Sequence, residues 1–230
     1  MVKRLVGRAL SIDLTEKLTE WALDQRDSPA HLNGAVDLTP PGTAWDAVVE
    51  RGRERVWNAT FADLGDILLL EFGVWQGASM RYFASLNRSP RSLFYGFDSF
   101  EGLPEEWRGM EAGRFSTAGK IPDIGDDRVR FVKGWFQDTL PPMMDEIAAA
   151  AEGRTVIVNF DADLYSSTLF LLFTLTARLK HFRFIFDEYA GHEARALYNF
   201  LQATGARAEF HHRCDWEGFP MTVAGEITAH

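Results

Sequence analysis

A chain of 230 residues has room for one domain, or for one domain with a short appendage. With 46% hydrophobic and 25% charged residues it is too apolar to be disordered, and 24 Lys+Arg against 33 Asp+Glu leave a net charge of −9 that argues against a general nucleic-acid binder. The single cysteine, Cys214, excludes an internal disulfide framework and a multi-cysteine zinc site, and a reducing compartment such as the cytoplasm is the simplest reading.

No apolar run approaches the length a bilayer demands; the longest, over 67–70 and 169–175, are short and flanked by charge. The first residues carry Lys3, Arg4 and Arg8, but Arg8 and Asp13 interrupt any signal-peptide apolar stretch. Residues 1–60 are polar and helical in flavour, with breaks at Asp27-Ser28-Pro29 and Thr39-Pro40-Pro41-Gly42. Thr43 followed by Asp46 reads as an N-cap, opening a helix through Trp45, Val48 and Val49 toward Trp57. This extension covers one end of the core, as a shield or as a lid. The domain proper is expected over 61–230.

From residue 66 short apolar runs alternate with helical windows: 66–72 then 78–86; 92–98; 129–134 then 142–151; 155–161 then 167–179; 182–187 then 193–203. Continuous apolar runs suit strands buried on both faces of a parallel sheet, and strand–helix alternation is the mark of right-handed βαβ crossovers. Two last runs, 207–214 and 220–227, flank Asp215-Trp216-Glu217-Gly218 and read as a hairpin. The stretch 104–127, with Gly109, Gly113, Gly119 and Gly125, is too long for an idle connection and reads as a functional loop or a partly disordered one.

The first strand ends in Glu71-Phe72-Gly73-Val74-Trp75-Gln76-Gly77-Ala78-Ser79. Laid on Gly73, the dinucleotide pattern G-x-G-x-x-G would want glycine at 71 and 76, where the chain has Glu71 and Gln76. A carboxylate there disfavours a pyrophosphate and suits a cationic ligand, and S-adenosylmethionine offers both an ammonium and a sulfonium. The second strand ends in Tyr95-Gly96-Phe97-Asp98, an acid placed to accept the ribose hydroxyls of an adenosine. The plainer alternative is that Gly73 and Gly77 only permit a tight strand-to-helix turn. Trp135-Phe136, after the third strand, could flank a purine or simply join the core.

Strand four ends in Asn159-Phe160-Asp161-Ala162-Asp163 and strand five in Phe186-Asp187-Glu188. Acids at neighbouring strand ends repel one another unless a cation is shared, and an oxygen-only donor set favours Mg²⁺, Mn²⁺ or Ca²⁺. Such an ion would acidify and orient a hydroxyl nucleophile. Asp163 serves equally well as the cap of the following helix. His211 and His212 face opposite ways on a strand, and His192-Glu193 has Ala196 where a zinc-protease motif needs a second histidine, so His192 stands as a candidate general base or as a surface or capping residue.

Four ordered motifs carry a family resemblance: Glu71 to Gly77, Tyr95-Gly96-Phe97-Asp98-Ser99-Phe100-Glu101-Gly102-Leu103-Pro104, Lys133-Gly134-Trp135-Phe136-Gln137-Asp138-Thr139-Leu140-Pro141, and Asp161-Ala162-Asp163-Leu164-Tyr165-Ser166-Ser167-Thr168. Over roughly residues 60–205 the chain resembles the macrocin O-methyltransferase family, within the class I S-adenosylmethionine-dependent methyltransferases. The expected fold is α/β: a doubly wound, mostly parallel seven-stranded sheet, strand order 3-2-1-4-5-7-6, with helices on both faces and the N-terminal helical extension.

The resemblance implies O-methylation of a small hydroxylated acceptor, of sugar or natural-product type, often with Mg²⁺. By it Glu71, Gly73, Gly77 and Ser79 would hold the methionyl part of the cofactor. Asp98 and Ser99 would take the ribose, and Gly134, Trp135 and Phe136 would border the adenine. Asp161, Asp187 and Glu188 would form the metal site, with Asp161 also against the cofactor and placed to help deprotonate the acceptor. Two departures stand out: Asp187-Glu188 where the family often has two aspartates, and Lys180-His181-Phe182-Arg183 in place of a glycine pair. No nucleic-acid or membrane partner is expected, and the amino-terminal helices offer a surface for homo-oligomers. The competing classes are a non-catalytic S-adenosylmethionine-binding module and a nicotinamide-dependent oxidoreductase, the latter opposed by Glu71 and Gln76.

Overall fold

The computed structural model describes Leu32 and residues 34–42, 44–107 and 109–230; the helical segment expected before residue 32 and the Thr43 cap lie outside the described residues. In chain order the elements are β1 (Val36–Asp37), a wide helical turn (Asp46–Glu50) running into α1 (Arg51–Phe61), β2 (Ile67–Phe72), α2 (Ala78–Leu86), β3 (Leu93–Asp98) and β4 (Val129–Lys133). Then follow α3 (Phe136–Ala151), β5 (Thr155–Phe160), α4 (Tyr165–Thr176), β6 (His181–Phe186), an irregular turn (Tyr189–Glu193), α5 (Ala194–Thr204), β7 (Arg207–Trp216) and β8 (Phe219–Thr228).

All six residues of β2 are buried because the strand lies mid-sheet with helices on both faces. Leu68, Leu70 and Phe72 pack with Leu171, Leu172 and Phe200 of α4 and α5, while Ile67 and Leu69 pack with Val56, Trp57 and Phe83 of α1 and α2. This two-sided burial is why the sequence shows an unbroken apolar run. Each such side chain contributes roughly 1.5–3 kcal/mol by leaving water, so a one-residue slip that exchanged the two rows would forfeit both packings.

The sheet order is β1-β7-β8-β6-β5-β2-β3-β4. Strands β2 to β6 pair in parallel, and β8 runs antiparallel to both β6 and β7. The seven-stranded expectation is thus corrected to eight: β1 adds a parallel edge strand outside the hairpin, pairing Val36 and Asp37 with His212 and Arg213 of β7. Two exposed residues leave no apolar run by which a sequence could announce such a strand.

Helix α3 begins at Phe136 although Pro141 and Pro142 lie inside it. Proline removes the donors that would bond the Gln137 and Asp138 carbonyls, but both residues are exposed and water can serve instead. Among the described residues no helix is long and apolar enough to cross a membrane.

The chain leaves β2 toward β3 on one side and returns through β5 on the other, opening a crevice at the carboxyl ends of β2 and β5, where sheets of this type bind ligands. Strand bonding continues past the strand ends: Asp161 N–H donates to Phe72 O (2.9 Å) and Asp187 N–H to Phe160 O (3.0 Å). The acids at the crevice therefore stand on rigid backbone.

Helix α1 reaches the same end because Gly52 lets it approach β7 closely; a Cβ there would overlap the Cys214 sulfur. Gly52→Ala should destabilise the fold by roughly 1–3 kcal/mol through overpacking. Urea denaturation tests this, and an unchanged midpoint would contradict the close contact.

Candidate active site

The turn after β2 is shaped by one crowded contact. Gly73 has φ +96°, and a Cβ on it would overlap the Asp161 carbonyl oxygen, so this position takes only glycine. Its N–H donates to Phe97 O at 3.0 Å. Asp98, at the end of β3, then fixes the rest of the turn: Oδ2 accepts the Val74 and Trp75 N–H groups at 2.8 Å each, and Oδ1 accepts Phe100 N–H at 2.6 Å. These bonds help hold Trp75 at φ +49°, an unfavourable backbone for a side chain of that size. Each carboxylate oxygen has two lone pairs, so Asp98 can still accept from a ligand hydroxyl.

The 104–127 segment folds back as a wall. Leu103 N–H donates to Arg114 O at 2.9 Å and Gly119 N–H to Phe100 O at 2.8 Å, and Arg81 Nη2 donates to Asp123 O at 2.8 Å. Phe115 meets Trp75 edge-on with ring centroids 5.9 Å apart. Between these parts lies a cavity of about 490 Å³, a size suited to a cofactor or drug-sized ligand.

Of the residues expected at the site, the cavity wall carries Gly73, Asp98, Ser99, Trp135, Phe136, Asp161, Asp187 and Glu188. Trp135 is 40% exposed, whereas the Phe136 ring packs edge-on against Phe72 at 5.5 Å and belongs partly to the core. Glu71, Gly77, Ser79, Gly134 and His192 are not among the residues lining this cavity. Gly77 is roofed by Pro122 and Ile124. Gly134 serves the β4–α3 turn, its N–H donating to Asp98 O at 2.9 Å. Ser79 lies on α2, near enough to bond the Glu71 carboxyl. His192 sits in the irregular turn before α5, where Ala190 and Gly191 leave helical geometry.

Glu71 is fully buried, with Asn159 Nδ2 donating to its Oε1 at 3.2 Å. Burial pushes its pKa up to about 8 against the pull of the Ser79 and Asn159 hydrogen bonds, and the Asp187 and Asp98 charges add to the rise.

The acidic wall holds groups the sequence did not single out. Arg53 of α1 places Nε 2.8 Å from Asp187 Oδ1. Burial opposes its charge, but Asp187, Asp161, Glu188 and Glu50 outweigh that and raise its pKa. Asp161 is pushed well above the carboxylate range, first by burial and then by Asp187, Asp163 and Glu71, with Arg53 opposing. Asp187 is likewise raised by burial, again against Arg53.

Glu193 is only 1% exposed, with neither carboxylate oxygen hydrogen-bonded. Burial and the repulsion of Asp161, Asp187, Asp163 and Glu188 hold it well above its usual range. The sequence signalled Glu193 only as a helix start, and Arg53 not at all.

Oxygen donors suit a hard divalent ion, yet the residues as arranged do not fit one. Arg53 stands on Asp187, and among the described residues no three acidic, histidine or cysteine side chains are grouped to hold a metal. The expected set of Asp161, Asp187 and Glu188 shares a wall without forming a ligand cage, for that physical reason.

Comparison with known proteins was then informative. The model of the macrocin-O-methyltransferase (TylF) family matches residues 114–219. A Streptomyces olivaceus 8-demethyl-8-(2,3-dimethoxy-alpha-L-rhamnosyl)-tetracenomycin-C 4'-O-methyltransferase is 32% identical, the match covering 80% of this chain and 81% of that protein. A Micromonospora griseorubida mycinamicin III 3''-O-methyltransferase is 28% identical over 54% of this chain and 55% of its own. The solved structure of the O-methyltransferase NovP has the same fold, with a TM-score of 0.53 at 22% identity over 94% of this chain and 98% of that one.

The raised pKa of Glu71 sets a pH dependence. The folded state keeps a proton that the unfolded chain releases near 4.5, so this stabilisation is complete at acid pH and is lost as pH rises through about 8. Asp161, Asp187 and Glu193 act in the same direction and stay in both proteins when wild type is compared with Glu71→Gln. Melting scans should show the variant losing less stability over that window; parallel profiles would contradict the buried, protonated state.

Proposed function

The chain belongs to the macrocin O-methyltransferase family, and from that premise we propose that it methylates a hydroxyl on the sugar of a glycosylated natural product. It is an S-adenosylmethionine-dependent methyltransferase. Two relatives support the acceptor class, since one is named for a rhamnosyl 4' position and the other for the 3'' position of mycinamicin III. The observation that carries the reading is one cavity with the Asp98-pinned glycine turn at one end and the acidic wall at the other.

In this reading Asp98 accepts a ribose hydroxyl with the one Oδ1 lone pair its backbone bonds leave over, and Ser99 borders the same pocket. Trp135 offers its exposed face to the purine, with Phe136 beneath it. Gly73 lets the backbone approach the methionyl end, while Glu71 and Ser79 brace that turn from behind. Bound there, the cofactor supplies a methyl group on a sulfonium that leaves as a neutral thioether.

Asp161 sits at the junction, touching Gly73 through its backbone and facing the cavity with its carboxyl. We assign it the acceptor's proton. Its raised pKa favours the neutral form in the empty pocket, and a positive charge brought alongside lowers that pKa, so the ionised share able to take the acceptor's proton rises when the pocket fills. No step is routed through a metal, because Arg53 stands on Asp187.

Calorimetry with S-adenosylhomocysteine, with NADH as control, tests the pocket. Saturable binding of the first alone is expected, and binding of NADH alone would favour an oxidoreductase. Asp98→Ala should weaken S-adenosylhomocysteine by about ten-fold or more, and unchanged affinity would remove the ribose role. Asp161→Asn should lower turnover on a rhamnosyl glycoside panel by about a hundred-fold or more while leaving that affinity within a few-fold. Loss of affinity would instead make Asp161 chiefly a cofactor contact.

A further inference from the structure

The acidic wall gathers carboxylates from two stretches of chain, Asp161 and Asp163 after β5 and Asp187 and Glu188 after β6, with the buried Glu193 behind them before α5. The cation that acts on it comes from α1, outside the βαβ core. Arg53 is fixed by more than its ion pair. Its helix is seated by the Gly52 contact with Cys214, its guanidinium lies 5.8 Å from the Trp57 ring centroid, and its side chain is 27% exposed. A guanidinium stays charged at any pH a cell meets and is weakly hydrated, so it suits a half-buried pairing better than an ammonium would.

We propose that Arg53 is the resident cation of this acidic wall, standing at Asp187 where a divalent ion would have to bind, so that such ions are shut out while the arginine is in place. It is a positioning residue, acting through Asp187 and Asp161 rather than on the acceptor. The geometry supports this: removing Arg53 takes away the cation 2.8 Å from Asp187 Oδ1 and leaves Asp187 on the same cavity wall as Asp161 and Glu188. A divalent ion is the natural replacement, because the donors left behind are all oxygens. The inference uses the methyltransferase reading only for what the wall serves, and its test needs no turnover.

Mn²⁺ binding is measured by water-proton relaxation near neutral pH on the wild type, Arg53→Met and Arg53→Met/Asp187→Asn. S-adenosylhomocysteine titration reports separately on the pocket and the fold. Wild type should bind Mn²⁺ weakly, Arg53→Met at least about ten-fold more tightly, and the double variant should lose that gain. A purely structural role for Arg53 would produce no new ion site.

The proposal is overturned if wild type already binds Mn²⁺ as tightly as Arg53→Met, or if the gain survives Asp187→Asn. Should Arg53→Met fail to fold, Arg53→Lys decides. The lysine keeps the charge but loses the planar fork, so Mn²⁺ should bind a few-fold more tightly than to wild type. No gain there also overturns the proposal. Failure of S-adenosylhomocysteine to bind any of these proteins would count against the methyltransferase pocket alone.

Discussion

The site depends on one backbone contact, the approach of Gly73 to the carbonyl of Asp161. It places the turn after β2 directly against the end of β5, with no side chain between them. Both segments are already held by strand bonding, Gly73 to Phe97 and Asp161 to Phe72, so neither can yield independently. Because β2 is packed on both faces, its register is fixed, and the turn emerges at one height relative to the acids. The turn after β2 and the acid after β5 are thus coupled by backbone packing rather than by a flexible side-chain contact.

A second consequence is electrostatic. Burying carboxyl groups this close together leaves Glu71, Asp161, Asp187 and Glu193 all reluctant to ionise. A protein with a net charge of −9 could have spread that charge over solvent. Concentrating it at a crevice makes the pocket responsive to positive charge: each cation that enters lowers the cost of ionising its neighbours. Arg53 supplies part of that effect permanently, and a cationic ligand supplies the rest on arrival.

Much of this frame was legible in the sequence, for identifiable reasons. Apolar runs at β2, β5 and β6 announced two-sided burial, Gly73 announced a tight turn after β2 and Asp98 an acid at the end of β3, while the bonds by which Asp98 braces that turn were not legible. What escaped was what no local pattern encodes. β1 is two exposed residues. Phe136 begins a helix whose prolines point to a later start. Arg53 stands in a polar-looking segment, and its place follows from a Gly52–Cys214 contact between distant parts of the chain. Glu71 was recognised as a chemistry-bearing residue, but its complete burial is a product of packing on both faces of β2. Glu193 was visible as a helix start, while its burial against four other carboxylates is a property of the folded sheet.

The departure at Lys180-His181-Phe182-Arg183 acquires a structural meaning through α1. Arg183 Nη1 donates to Thr60 O at 3.0 Å, while its Nε and His181 Nε2 lie 3.3 and 3.1 Å from the Glu226 carboxylate. The ion pairs are partly exposed and contribute at most about 1 kcal/mol each. Weightier anchors are the buried side chains of Val56, Trp57 and Phe61, each adding roughly 1.5–3 kcal/mol. With Gly52 against Cys214 at one end and Thr60 against Arg183 at the other, α1 is a wall built into the core. A helix held at both ends presents Arg53 at a constant depth, which a swinging lid could not do. That rigidity is what allows an arginine outside the sheet to act as a fixed charge within the crevice.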